Sequence, residues 1–501
     1  MSDMTPDQPY SLNVAPAPLS GELTADLVVI GAGGAGLPAA ITAQEHGLDR
    51  VVVLEKRPLV GGNAGMSGGF LFAVRSRSQR EAGLGNSPDT VFRDTMAYHH
   101  YDGVDPRLVR LWVDEADETV QWLEDRGIGY RPMVGRDLGV EPSGWSNHPG
   151  SFQRVMEALS KRFTADGGQI LTKAAAVEII GSPDTGVSAV VADTRDGRIT
   201  IGTPRVVLAT GGFTGNVDLL HEKFPGVYDE DVYWTDTKRL AGDGIALARA
   251  VGADTGGRSF LIKENCYSFK TKKNKPNRAG MEPRCLWVNA RGDRFLDEST
   301  GTVNATTNAL IAQPGMAGFA LFDDALVQYV IDQPDPFAGE ARPGEDDPGT
   351  WVAGGYRTTL RDTLADPANK DWCVSADDWS EIARWIGADP EALGATVQEY
   401  NGYCDAGRDA MWAKDPEHLV PLRKPPFYAL RFRPLMIDTA GPLRTDQHLR
   451  VLDPRSRPIP GLFGAGSVVG GWIGFDEHRF GTPLSWAISS GRIAGIRAAT
   501  G

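Results

Sequence analysis

The segment from residue 26 to residue 56, DLVVIGAGGAGLPAAITAQEHGLDRVVVLEK, constrains the fold more than any other part of this chain. Its apolar run up to Ile30 predicts a buried strand, and the next residues predict a helix that ends at Gly47. VVVLE, residues 51–55, predicts a second buried strand. Strand, helix and strand form one βαβ unit, which indicates a parallel sheet and an α/β fold.

A glycine triplet, Gly31-x-Gly33-x-x-Gly36, lies between the first strand and the helix. Gly31 permits a tight turn, Gly33 lets the backbone approach a pyrophosphate, and Gly36 lets the helix pack closely on the strand. The helix N-terminus adds a partial positive charge that favours phosphate. Glu55 ends the second strand, where a carboxylate would accept hydrogen bonds from ribose hydroxyls. The loop therefore predicts a site for NAD, NADP or FAD, and the alternative is a structural glycine turn.

Composition and charge exclude several other classes. The 501 residues allow two or three domains, and the net charge of −14 argues against nucleic acid and anionic membranes as partners. The 4 cysteines show no CxxC or other metal-type spacing, so we expect no metal, haem or iron–sulfur cluster. The N-terminus does not resemble a signal peptide and no apolar run is long enough for a membrane span, so we expect a soluble cytoplasmic protein without membrane insertion.

The chain changes character twice. Residues 256–430 contain more Trp, Pro, Lys and Asp than the rest, whereas glycine-rich sequence returns beyond about 431, in IPGLFGAGSVVGGW. We expect a nucleotide-binding domain at 21–255 and 431–501, interrupted by a second domain at 256–430, with residues 1–20 as a flexible N-terminus. Within the second domain, the pattern predicts a helical segment around residues 376–403.

Two further glycine-rich segments favour FAD over a nicotinamide cofactor. GGNAGMSGG follows the second strand directly, and GLFGAG lies about 400 residues downstream. FAD is longer and more extended than NAD, so additional loops that return beside the first one are explained if FAD is bound.

The order of these segments resembles that of the fumarate reductase/succinate dehydrogenase flavoprotein superfamily, which includes the 3-ketosteroid Δ1-dehydrogenases. The matching segments are VVIGAGGAGLPAA, GGNAGMSGG, VVLATGGF, AGDGIALARAVGA, LWVNARGDRFLDE and GLFGAGSVVGGW with HRFGTPLSWAISSGRIAG. The resemblance implies a Rossmann-like FAD-binding domain of the glutathione-reductase type, interrupted by an α+β capping domain that covers the flavin and the substrate cleft. Since SGGFLFAV carries no histidine for a covalent flavin link, we expect non-covalent FAD.

The resemblance also assigns residues to the cofactor. The adenine half would lie against the glycine triplet and Glu55. The other positions assigned to the cofactor are Lys56, Gly62, Asn63, Ser67, Gly68, Gly69, Val177, Thr210, Gly211, Asp243, Gly466, Ser467, Leu484 and Ser485. Ser467 departs from the family, which often has an acidic residue there. The acidic contact to the ribityl chain of the flavin therefore has no counterpart at residue 467.

The candidate catalytic residues give mixed signals. Arg479 matches the arginine that clamps a substrate carboxylate in fumarate reductases, and His478 beside it is a candidate donor or base. Tyr267, near the start of the second domain, is a candidate donor to a carbonyl. Thr302 stands where fumarate reductases have a proton-donating arginine and ketosteroid dehydrogenases a tyrosine. The segment RPLMIDTAGPLRTD resembles the ketosteroid dehydrogenases instead.

These signals predict an FAD-dependent dehydrogenase acting on CH–CH bonds, which introduces a C=C bond beside the carbonyl of a cyclic ketone or keto acid. Its partners would be that small molecule and an electron acceptor, which is oxygen, a quinone or a carrier. One alternative is a reductase of an unsaturated carboxylate, with Arg479 on the acid. The other is a non-catalytic electron-transfer flavoprotein subunit.

Overall fold

The computed structural model describes residues 23–67, 69–83, 87–132, 144–146, 152–225, 233–234, 240–266, 280, 282–300, 304–332, 355–474 and 481–501. The strands are β1 Leu23–Thr24, β2 Leu27–Ile30, β3 Val51–Glu55, β4 Phe70–Leu71, β5 Tyr130–Pro132, β6 Gly144–Ser146, β7 Gln169–Thr172, β8 Ala175–Ser182, β9 Gly186–Thr194, β10 Gly197–Gly202, β11 Val206–Leu208, β12 Tyr233–Trp234, β13 Phe260–Cys266, β14 Leu286–Asn289, β15 Gly318–Asp323, β16 Cys373–Ala376, β17 Phe427–Ala440, β18 Arg450–Leu452 and β19 Pro458–Gly464. The α-helices are α1 Gly36–Glu45, α2 Gly62–Met66, α3 Arg77–Glu81, α4 Pro88–Tyr98, α5 Pro106–Glu124, α6 Phe152–Ala165, α7 Val217–Lys223, α8 Asp243–Ala250, α9 Asn304–Ile311, α10 Asp324–Asp332, α11 Gly355–Ala365, α12 Trp379–Ile386, α13 Pro390–Ala406 and α14 Thr482–Thr500.

A six-stranded sheet in the order β18-β19-β11-β2-β3-β7 organises the first half of the fold. Its five strands from β19 to β7 are parallel, and β18 is antiparallel to β19. Every residue of β2 and β3 is buried, as expected for strands that are covered on both faces. The predicted strand–helix–strand unit is therefore confirmed as β2, α1 and β3. The adjacent order of β11, β2 and β3 brings the loops after these strands to one edge of the sheet.

The region after the nucleotide-binding loops adds a four-stranded sheet in the order β1-β10-β9-β8. Strand β8 is antiparallel to β9 and has a register shift between Ala176 and Glu178. Val177 lies in this shift and is 43% exposed. A bulge of this kind leaves a residue out of the ladder, so its backbone groups are available to other partners.

The second half of the fold is built around the long strand β17. Its first part pairs with β15 and β16, and its last part pairs with β13. Two hydrophobic clusters lie within residues 285–432, and a third and larger cluster draws on residues 25–262 and 436–498. The α/β fold class with an FAD-binding fold is confirmed, with mixed parallel and antiparallel sheets, whereas the exact domain boundaries remain predictions.

The helical segment around residues 376–403 is interrupted. The structure has α12 and α13 there, and α12 ends at Ile386, where Gly387 caps it with a φ of +89°. Asp389 then caps α13, and Pro390 occupies its first turn. Glycine in the left-handed region ends a helix and proline starts one, so the break follows from local sequence.

Candidate functional site

The glycine triplet lies at the carboxyl edge of the parallel sheet, and its members have different surroundings. A Cβ built on Gly31 would lie 2.4 Å from the Ala209 carbonyl oxygen, and one on Gly36 would lie 1.7 Å from the Gly31 oxygen. Both positions therefore exclude any side chain. A Cβ on Gly33 would lie 3.8 Å from the Gly61 carbonyl oxygen and the Gly62 Cα, which is an ordinary van der Waals contact. Gly33 is partly exposed, so its backbone, without a side chain, is accessible to a ligand that approaches closely.

Glu55 holds the first loop from the neighbouring strand. Its Oε2 accepts a hydrogen bond from the Ala32 backbone N–H at 3.0 Å, and its Oε1 accepts one from the Arg57 N–H at 2.8 Å. The side chain is buried at the end of β3. A carboxylate has about four acceptor positions, so Glu55 can still accept bonds from ribose hydroxyls.

The second glycine loop lies directly against the first. The Gly61 N–H donates to the Ala32 carbonyl at 2.8 Å, and Gly62 begins α2 with a φ of +54°. Ser67 donates its hydroxyl to the Ala64 carbonyl at 2.8 Å, so this side chain ends α2. Gly69 follows with a φ of +78°, and Gly68 lies outside the described residues. Two loops predicted to contact phosphate therefore lie side by side.

The loop after β11 contributes a buried hydroxyl, the Oγ1 of Thr210, that has no hydrogen-bond partner among the residues the structure describes. A Cβ on Gly244 would lie 2.1 Å from this oxygen, so the start of α8 packs directly on it. Gly211 follows with a φ of +76°. Asp243, the first residue of α8, forms an ion pair with Lys56 at 2.5 Å. Lys56 and Asp243, which are 187 residues apart in sequence, therefore meet at one side of the candidate cofactor site.

The C-terminal glycine segment completes this edge of the sheet. The Ala465 N–H donates to the Leu208 carbonyl at 2.9 Å, and Gly466 turns the chain with a φ of +72°. Leu484 and Ser485 lie in the first turn of α14, near Gly34 and Trp112: the Trp112 indole N–H donates to the Ser485 hydroxyl at 3.0 Å. The Ser485 side chain is therefore committed to the core, which leaves its backbone for the predicted flavin contact.

Asp438, which sequence reasoning did not single out, lies at the centre of these segments. Its Oδ1 accepts a hydrogen bond from the Thr439 N–H at 2.8 Å, and its Oδ2 accepts one from the Ser467 hydroxyl at 3.1 Å. The Asn63 side chain donates a third bond. Burial raises the pKa of Asp438 to about 6, against the smaller opposing effect of these neutral donors. A lone acid inside the apolar run PLMIDTAG is the sequence signal that would have found it.

The predicted catalytic residues cannot be placed in this geometry. Tyr267, Thr302, His478 and Arg479 all lie outside the described residues. Two large aromatic side chains, those of Trp287 and Trp472, lie in the core. Trp472 stacks on Trp486 with ring centroids 5.1 Å apart, and Trp287 packs on Phe432. The roles of the four candidates therefore remain predictions.

A dinucleotide fits this site on three observations. The backbone at Gly33 is partly exposed and carries no side chain, the Thr210 hydroxyl has no partner among the described residues, and the N-termini of α1 and α8 have no side-chain cap. Uncapped helix N-termini present free N–H groups and a positive dipole end to an anion. These features match the phosphates and hydroxyls of FAD.

Comparisons with known proteins agree with this geometry. A family model described as FAD binding domain matches residues 26–479. The chain belongs to this family. FAD is its cofactor, and the fumarate reductase resemblance is confirmed. The chain is 30% identical to a vinyl phenol reductase from Lactiplantibacillus plantarum. The match covers 95% of this chain and 96% of the reductase. It is 27% identical over 95% of its length to an NADH:fumarate oxidoreductase from Klebsiella pneumoniae, of which it spans 47%.

The fold is also that of a solved ketosteroid dehydrogenase. The 3-ketosteroid Δ4-(5α)-dehydrogenase from Rhodococcus jostii matches 97% of this chain and 99% of its own, with a TM-score of 0.74 and 22% identity. Among the described residues, no helix is long and apolar enough to cross a membrane.

The family match and the similarity to the vinyl phenol reductase identify the chain as a flavin oxidoreductase of the fumarate reductase family.

Proposed function

We propose that this flavoprotein reduces a C=C bond that is conjugated to an activating group in a small organic molecule. The observation that carries the proposal is the co-extensive match to a vinyl phenol reductase, which spans nearly the full length of both chains. The NADH:fumarate oxidoreductase is also named for the use of an unsaturated compound. Bound FAD would supply the hydride, and the protein would supply binding, orientation and a proton donor.

The described residues support the cofactor half of this proposal. Gly33, Thr210 and the uncapped start of α1 would hold the phosphates, and Glu55 would accept bonds from the ribose. Tyr267, Thr302, His478 and Arg479 remain the candidates for binding the substrate and moving a proton. Because reduction consumes electrons, a donor must reload the flavin, and this chain shows no haem or iron–sulfur motif.

The test is anaerobic. The flavin is reduced with a chemical reductant, excess reductant is removed, and vinyl phenols, fumarate and cyclic enones are added in separate experiments. We expect one unsaturated class to reoxidise the flavin and to yield a product two hydrogens heavier by mass spectrometry. If no unsaturated compound reoxidises the flavin although FAD is fully bound, the reductase proposal is wrong.

The second candidate is the reverse reaction, the desaturation of a cyclic ketone or keto acid. The segment RPLMIDTAGPLRTD, which resembles the ketosteroid dehydrogenases, favours it. Oxidised enzyme mixed with saturated cyclic ketones, 3-ketosteroids, keto acids or succinate distinguishes the two. Bleaching of the flavin by a ketone without turnover of any alkene would support the dehydrogenase, and bleaching by succinate alone would argue against a ketone substrate. Arg479→Ala, compared with Arg479→Lys, then tests whether the substrate carries a carboxylate.

A further inference from the structure

Asp438 lies where three separate cofactor segments meet. Its donors Asn63 and Ser467 belong to the second glycine loop and to the C-terminal glycine turn. A Cβ on Gly212, in the loop after β11, would lie 2.7 Å from Asp438 Oδ1. The register of β17 shifts at Ile437, since Ile262 pairs with Asp438 and Lys263 pairs with Met436. Such bulges re-aim a side chain beside a functional site.

The carboxylate is buried, and the donors that the described part of the chain gives it are a backbone N–H, a hydroxyl and an amide. All three are neutral, and a carboxylate has about four acceptor positions. A buried carboxylate without a cationic partner destabilises the folded chain, because desolvation is not offset by a charge. The position is therefore costly for the protein unless a ligand adds a further donor.

FAD carries suitable donors in the ribityl hydroxyls that join its ring to its phosphates. Ser467 stands where an acid is expected to contact this part of the cofactor, and its hydroxyl instead donates to Asp438. We propose that Asp438 is a cofactor-binding residue whose carboxylate accepts a hydrogen bond from a ribityl hydroxyl of FAD. It would replace the acidic residue that stands at the position of Ser467 in the family. The Asp438 carboxylate would approach the cofactor from β17 rather than from the C-terminal glycine turn.

The test compares FAD affinity and apoprotein stability in the same variants of the full chain. Asp438→Asn should weaken FAD binding by about tenfold to a hundredfold, because a bond to a charged acceptor is lost. The same variant should raise the melting temperature of the apoprotein, because a buried charge is removed. The double variant Asp438→Asn with Ser467→Glu should recover most of the affinity. Affinity is measured by the change in flavin fluorescence on titration with apoprotein.

Asp323→Asn is the matched control. Asp323 is also buried, but it accepts bonds from the backbone N–H groups of Leu326, Arg423 and Lys424 in the other half of the fold. We expect this variant to lower the apoprotein melting temperature and to leave FAD affinity unchanged. A loss of FAD affinity in Asp438→Asn that comes with the same drop in melting temperature would show a merely structural role and overturn the proposal.

FAD analogues deoxygenated at the 2′, 3′ or 4′ ribityl position identify the hydroxyl. With the analogue that lacks the bonded hydroxyl, wild type and Asp438→Asn should bind equally, because the interaction is already absent. If Asp438→Asn weakens every analogue by the same factor as FAD, the carboxylate does not contact a ribityl hydroxyl. Wild-type FAD affinity in Asp438→Asn would overturn the proposal as well.

Discussion

The α-helices of this protein begin in two different ways. Among those whose first cap is described, six start at a residue whose side chain accepts backbone N–H groups: α3, α4, α5, α7, α12 and α13, at Ser76, Ser87, Asp105, Asn216, Asp378 and Asp389. The helices α1, α2, α8 and α14 start at Ala35, Gly61, Gly242 and Gly481 and have no such bond. A missing cap costs about 1 kcal/mol, so the absence of side-chain caps at the helices beside the glycine loops favours an anionic ligand at that end of the sheet.

The largest expected effect comes from adding a side chain at the start of α1, one of the uncapped helices. Gly36→Ala would place a Cβ within 1.7 Å of the Gly31 carbonyl oxygen, so α1 cannot keep its position on β2. We expect loss of bound FAD and a lower melting temperature, measured by absorbance after gel filtration and by thermal unfolding. Gly394→Ala is the control, since a Cβ there meets nothing within 4 Å. If Gly36→Ala retained FAD at the wild-type level, the close approach would not matter.

The next effect is a pH dependence of apoprotein stability that Asp438 should cause. Its folded pKa of about 6 exceeds the value of 3.8 expected when unfolded, so the folded state holds the proton more tightly between these values. The free energy of unfolding should therefore fall as pH rises from about 4 to about 6, by up to about 3 kcal/mol, and then level off.

The described residues that contact Asp438 are Asn63, Ser467 and Thr439, and none of them carries a group that titrates between about pH 4 and 7. Lys263 on β13 lies opposite Met436. Urea unfolding of apoprotein at several pH values, with Asp438→Asn as reference, gives the difference. A constant difference across pH 4 to 7 would contradict the assignment.

Removing the cap of a capped helix should affect folding and not the cofactor. Asp389 accepts the N–H groups of Glu391 and Ala392, so Asp389→Ala should lower the free energy of unfolding by about 1 kcal/mol. The loss should be equal with and without FAD, measured by urea unfolding. Asp377→Ala, at an exposed position outside the caps, should change little. A change in FAD affinity in Asp389→Ala would mean that the capped and uncapped helices do not differ in function.

The smallest effect should come from the ion pair between Lys56 and Asp243. The Lys56 side chain is 34% exposed and the Asp243 side chain 41%. Because water screens an exposed ion pair, this pair contributes less than about 1 kcal/mol to folding. Lys56→Ala should weaken FAD binding a few-fold at most, and more at low salt than at high salt. A large, salt-independent loss would instead show that Lys56 contacts the cofactor directly.

Sequence reasoning found the local parts of this site. The strand, glycine triplet and helix at residues 26–56 are encoded by neighbouring residues, so hydrophobic runs and glycine spacing are sufficient to predict them. Asp438 was missed because its partners Asn63 and Ser467 are distant in sequence, and such a contact exists only after β17 has paired with β13. The break between α12 and α13 was visible in Gly387 and Pro390, but the apolar spacing on both sides obscured it.

We expect one FAD to lie, without a covalent bond, between the uncapped helices and the glycine loops. The decisive experiment is titration of apoprotein with FAD, followed by acid precipitation. We expect saturation at one FAD per chain and complete release of the flavin into the acid supernatant. A protein that takes up no flavin, or one whose flavin stays with the precipitate, would contradict it.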